Sequence, residues 1–197
     1  MSVRAGTAPI PAEHPVVESR IVSVGSYLLA AGTTFFFIAF LFAFFYLRAV
    51  NSNGLWGGPK PGHHVSVPTV SGSVILACIL ASVALVRIGL AARGGGLLWP
   101  LGAGALLLGL GAVAVQCWQY TDLAFGTEEG GYASVYLGWT GFFTIFSFGA
   151  LLWLEMILAT ARRTGASVRS DLASFSVFWS TLGAVEIGAF ILLYAVK

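Results

Sequence analysis

Histidine has the widest chemical use among the residues of this chain, as a haem, copper or zinc ligand and as a proton carrier. The chain has three, His14, His63 and His64, and all fall in polar stretches rich in Pro or Gly. Adjacent imidazoles in such a loop read as solvated or locally bonded side chains rather than a metal site. With no His inside an apolar run, the chain is expected to hold no b-type haem within a bilayer, and no Cys-x-x-Cys-His occurs for covalent haem. Cys78 and Cys117 sit in apolar runs without Cys-x-x-Cys spacing, so they read as small packing residues rather than a redox pair. No nucleophile–base constellation, phosphate-cradling loop or flavin fingerprint is present. The sequence therefore leads to an expectation of no catalytic residue, no metal site and no cofactor in this chain.

The informative residues are two carboxylates in apolar surroundings, Glu155 and Glu186. An ionised carboxylate at membrane depth is costly, so each must face the protein interior or a subunit contact, take its neutral form, or find a donor. Glu155 lies seven residues before Arg162, about 10 Å along a helix axis and too far for a direct i,i+4 pair. It reads as a carboxylate near the interface, hydrogen-bonded to a neighbouring helix. For Glu186, nearer the middle of its apolar run, two readings stay open: a buried interhelical hydrogen bond, or a carboxylate that handles protons or docks a subunit. Gln116 and Gln119 are three apart and share a helix face, where they could receive such a carboxyl group. Arg87 lies near the end of its run, where a long side chain can reach the headgroups.

The elements that must position these residues are apolar helices. Ile21 to Leu47 has no ionisable side chain and is bracketed by Arg20 and Arg48. A bilayer core needs about 20 apolar residues as a helix, so this run can span one. Only Ser23, Ser26, Thr33 and Thr34 interrupt it, and small hydroxyls can bond back to the helix or to a neighbour. Further spans are expected at about 67–90, 97–120, 132–161 and 173–196. Ala105 and Gly109 form a small-xxx-small pair on the third, which admits a close neighbour. The turn AARGGG is short, so the second and third spans pack as antiparallel neighbours. Residues 1–20, with three prolines and both charge signs, read as an irregular, water-exposed arm that precedes a transmembrane domain at 21–197. No cleavable signal is expected at the start. Trp56, in the loop after Arg48, reads as an interfacial anchor.

Charged residues make up only 9% of the chain and hydrophobic ones 57%, a balance that excludes an ordinary soluble domain. The net charge of +2 is too small to argue for a nucleic-acid partner. Five spans collect Arg4, Arg20, Arg87, Arg93, Arg162, Arg163 and Arg169 on one side, against Arg48, Lys60 and Lys197 on the other. The positive-inside rule then predicts an all-α, polytopic transmembrane five-helix bundle with its N-terminus cytoplasmic and its C-terminus outside.

Four stretches together resemble subunit III of the haem-copper oxidases. Val22 to Ala49 is similar to the helix that reads VSVG…SELMFFAGLFA…RA. VQCWQYTDLAF resembles GQxYEYxxL, in step at Gln116, Tyr120 and Leu123. YASVYLGWTGFF resembles YGSVFYxxTGFH, matching at Tyr132, Ser134, Thr140, Gly141 and Phe142. VFWSTLGAVEIGAFILLY stands where the family has YWHFVDxVWxxLFxxxY and keeps Trp179 and Tyr194. The four occur in order over most of the chain, and five spans match the shorter bacterial form that lacks the first two of seven helices. The departures are systematic. Thr33 stands in place of the intramembrane Glu, Phe143 and Phe146 in place of two His residues, and Ser180 and Gly183 in place of a His and an Asp. Glu186 stands at an apolar Trp, and Gln119 replaces a Glu.

The resemblance implies an accessory subunit without a redox centre, in the cytoplasmic (inner) membrane of a bacterium. Haem and copper would lie in partner subunits. This chain would buttress catalytic subunit I within the respiratory complex, support its proton uptake and hold phospholipid, although the missing first two helices remove the cleft in which the family holds it. Two alternatives are the same fold serving a nitric oxide reductase and, from another class, a small proton-coupled transporter using Glu155 and Glu186. Against the transporter, no span is interrupted at its middle and no repeat is evident.

Overall fold

The computed structural model describes residues 15–51, 54, 56–58, 65–92, 95–164 and 168–196. His14, His63, His64, Arg93 and residues 1–14 of the N-terminal arm lie outside the described residues. Five helices carry the fold: α1 (Pro15–Ala49), α2 (Thr69–Ala91), α3 (Leu98–Asp122), α4 (Gly131–Thr164) and α5 (Arg169–Phe190). The last continues into a π-helical turn, Ile191–Val196. All five are long and apolar enough to cross a membrane. α1 begins at Pro15, so part of the expected irregular arm is its first turns. A proline is tolerated in a first turn because its missing N–H would have no helical partner there.

α4 and α5 are the central helices. α2 and α3 form an antiparallel hairpin, α5 packs on α1, α2 and α4, and α4 packs on α1, α3 and α5. Small residues set the close approaches. Gly109 of α3 lies under the Leu151 side chain of α4, where an added Cβ would come within 2.4 Å of it. Ala105 is fully buried, and its carbonyl accepts a hydrogen bond from Ser82 Oγ of α2 at 2.7 Å. Gly72 of α2 receives the Tyr194 ring, 2.5 Å from where a Cβ would stand.

The α1–α4 seam is aromatic. Phe36 meets Phe142 and Phe146 at 5.0 and 5.6 Å between ring centroids, and Phe37 meets Trp139 and Phe146 at 5.7 and 5.8 Å. Edge-on and tilted pairs at this spacing add to the packing of apolar surface. Trp56 departs from its expected role as a surface anchor. Its ring sits edge-on to Phe44 and Tyr132, and its carbonyl accepts the Tyr132 N–H at 3.0 Å, so it wedges the α1–α2 loop against the start of α4.

Two helix ends are closed by arginines from other helices. Arg169 of α5 donates to the carbonyls of Leu90 and Ala92 at the end of α2, and Arg48 of α1 donates to Val196 O at the end of α5 at 3.1 Å. The last carbonyls of a helix lack partners within it and carry partial negative charge, so a guanidinium satisfies both needs. The Arg48 contact also brings the C-terminal ends of α1 and α5 together, so these two neighbours run parallel.

Substituting Gly72→Ala should cost about 1–3 kcal/mol, because a planar, hydrogen-bonded ring cannot swing aside as an aliphatic tip can. Gly111→Ala, with nothing within 4 Å of its added methyl, should instead gain about 0.5–1 kcal/mol from helix propensity. Thermal unfolding of the two variants in the same detergent should place them on opposite sides of the unsubstituted protein.

Candidate functional site

The densest polar chemistry lies at the end of the bundle where α3 and α5 finish and α2 and α4 begin. Gln116 and Gln119 are on the buried face of α3, one turn apart, and Gln116 Nε2 donates to Gln119 Oε1 at 3.0 Å. Gln119 Nε2 donates to Tyr136 OH of α4 at 2.8 Å and makes longer contacts with Tyr194 OH at 3.4 Å and Pro68 O at 3.5 Å. The Tyr136 and Tyr194 hydroxyls bond each other at 3.0 Å. One carboxamide therefore reaches the start of α2, the start of α4 and the end of α5. Tyr132, four residues before Tyr136 and on the same face, donates to Leu193 O at 2.5 Å. That acceptor lies in the π-helical turn, a geometry that changes the backbone pairing at the end of the helix.

A second set of bonds lies further along the bundle. The buried Trp179 of α5 donates through Nε1 to Ser82 Oγ at 3.0 Å, and that hydroxyl passes its own hydrogen to Ala105 O. One serine thus joins α2, α3 and α5. Arg87, whose length suits it to the headgroups, is exposed and donates through Nε and Nη2 to Ser180 Oγ of α5 at 3.1 and 2.9 Å.

Neither carboxylate finds the partner expected of it. Gln116 and Gln119 are engaged with each other and with the tyrosines, and receive neither carboxyl group. Glu186 is buried at 7% exposure, on the face of α5 that also carries Trp179, Leu182 and Gly183. Among the described residues no donor reaches it, although it lies within electrostatic reach of the Tyr194 hydroxyl. Of the two readings left open for Glu186, the interhelical hydrogen bond is not made among those residues. Glu155 is exposed rather than bonded to a neighbouring helix, and lines a groove between α3 and α4. Among the described residues the buried Thr33 Oγ1, Ser147 Oγ and Trp139 Nε1 have no hydrogen-bond partner. Tyr120 faces Thr140 and Thr144 without a hydrogen bond of normal geometry. Thr140 and Thr144 instead bond back to carbonyls four residues earlier.

Sequence reasoning missed the three tyrosines as a group and missed Ser82. The spacing of Tyr132 and Tyr136 places both on one face of α4, and that signal was available. A single serine in an apolar span carries no such signal. Among the described residues, no group of three or more His, Cys, Asp or Glu side chains is placed to hold a metal ion.

What this arrangement does chemically is join helices. Its donors and acceptors face one another inside the bundle, where lipid offers no competing partner. No protein-family model matches the chain, and no curated protein matches it either.

Two predictions follow from this geometry. Gln119→Leu combined with Tyr136→Phe in a double-mutant cycle should give a coupling of about 0.6–1.7 kcal/mol, from the average to the maximum of interhelical hydrogen bonds in a membrane protein. Glu186→Leu should leave thermal stability unchanged or raise it by up to about 1–3 kcal/mol, since it removes a buried polar group without a donor. A marked fall in Tm for Glu186→Leu would reveal a partner for the carboxyl.

Proposed function

We propose that this chain is a non-redox accessory subunit, similar to subunit III, of a bacterial respiratory haem-copper oxidase, embedded in the cytoplasmic membrane with its N-terminus inside. In this role it stabilises catalytic subunit I and supports proton uptake there, while haem and copper are carried by its partners. The observation that carries the reading is where the residues of the resemblance lie. Tyr132, Trp179 and Tyr194, from two separate motifs, all make polar contacts between helices, and Gln116, from a third, bonds Gln119 of its own helix, whose amide reaches Tyr136.

The departures from the family pattern also fall together. Phe143 and Phe146 pack on Phe37, about one turn from the buried Thr33, so the positions of the absent Glu and two His share one seam between α1 and α4. Ser180 and Gly183 both face α2, through Arg87 and Val83. Replacements that cluster in space are what a rebuilt polar network would leave. A scaffold also accounts for polar side chains that are used up in holding helices to one another.

The test is purification of the tagged chain from its own host in mild detergent. The expected result is co-elution with haem-bearing subunits and oxygen consumption by the preparation. Nitric oxide consumption in place of oxygen consumption would move the chain to a reductase of that substrate. A haem-free preparation that drives proton-coupled uptake into vesicles would overturn the proposal in favour of a transporter.

A further inference from the structure

The end of the bundle opposite the tyrosine cluster carries the exposed arginines Arg162 and Arg163, in the last turn of α4. Among the described residues neither makes an ion pair or a hydrogen bond. Both line a groove between α3 and α4 with a volume of about 580 Å³. Its origin lies in the sizes of the residues along the seam. α3 and α4 close tightly where Gly102 takes the Leu158 side chain, with an added Cβ only 2.7 Å from Leu158 Cδ2. Beside that contact Ala103 and Ala159 are too short to fill the space, and Leu106 gives the gap an apolar wall. Trp99, 45% exposed, stands in the first turn of α3 in the same groove as the arginines.

We propose that this groove binds an anionic diacyl phospholipid, with the phosphate on Arg162 and Arg163 and the start of an acyl chain against Leu106 and Leu158. Two adjacent guanidiniums without carboxylate partners suit a phosphate, which accepts several charge-assisted hydrogen bonds at once. Basic pockets between transmembrane helices are a recognised form of anionic-lipid site, and Trp favours the headgroup level. A free phosphate would use the arginines and leave the apolar wall without a role, whereas a lipid uses both.

Glu155 lies in the same groove, about 10 Å from Arg162 along the helix axis. Two other open grooves among the described residues lack this combination. The one between α2 and α3 carries Asp122 and no cation, and the one between α1 and α5 has no charged side chain. The inference rests on the embedded bundle and not on the proposed complex, so either can fail alone.

Native mass spectrometry of the full chain, or of its intact complex, in detergent tests the site with three probes: phosphatidylglycerol, phosphatidylcholine and inorganic phosphate. Phosphatidylglycerol should bind about tenfold or more tightly than phosphatidylcholine. The R162Q/R163Q variant should lose about tenfold of that affinity with phosphatidylcholine unchanged, while R162K/R163K retains most of it. Arg20→Gln, which removes a cation outside the groove, should have little effect, and Ala159→Phe should weaken both lipids by filling the gap. Equal binding of the two lipids, or an equal loss in Arg20→Gln, would sink the proposal. So would inorganic phosphate competing as well as the lipid, which would leave a plain anion site. Cross-linking of a cysteine at Ala159 to a partner polypeptide in the intact complex would assign the groove to protein and overturn the lipid.

Discussion

Inside a bilayer a polar group has no water to fall back on, and this single constraint shapes where every hydrogen bond in the bundle goes. The chain meets it in two ways. Lone hydroxyls such as Thr34, Thr140 and Thr181 bond back to their own helices. Larger side chains with fixed geometry, Gln119 and Trp179, reach across to other helices. The first kind is neutral to topology, whereas the second specifies which helices must be neighbours.

α5 is where these demands converge. It touches α1, α2 and α4, and supplies Trp179, Ser180, Tyr194 and the acceptors Leu193 O and Val196 O. Its last turn brings the Tyr194 ring into the space left by Gly72, which allows the hydroxyl to meet both Tyr136 and Gln119. Packing and polar satisfaction are thus one problem at this point, because the ring that fills the gap also carries the hydroxyl.

The five helices were legible because each is a long apolar run flanked by charge or turn residues, and their observed ends differ from expectation by a few residues. The start of α1 was the largest error: Pro15 and the charged residues near it resemble a loop, yet a helix tolerates both in its first turns. Partners were far less legible. That Gln116 and Gln119 share a face follows from spacing, but which groups face them depends on helix rotation and crossing, and the carboxyl groups expected there are not the groups found. Arg87 shows the same limit, since its position in the run did not name Ser180 as its partner and only the neighbouring helix supplies it.

The position of α5 in the chain bears on how the bundle is assembled. Ribosomal synthesis delivers α1 through α4 first, so the α2–α3 hairpin and the α1–α4 seam can associate early, while Ser82 still lacks the Trp179 N–H, Gln119 its contact with Tyr194 and the last carbonyls of α2 their bonds from Arg169. Until α5 follows, the neighbours α1, α4, α3 and α2 stand in an open row, and α5 is the helix that joins its two ends. A bundle without its last helix is thus incomplete in packing and in polar pairing at once, and the arrival of one helix completes both.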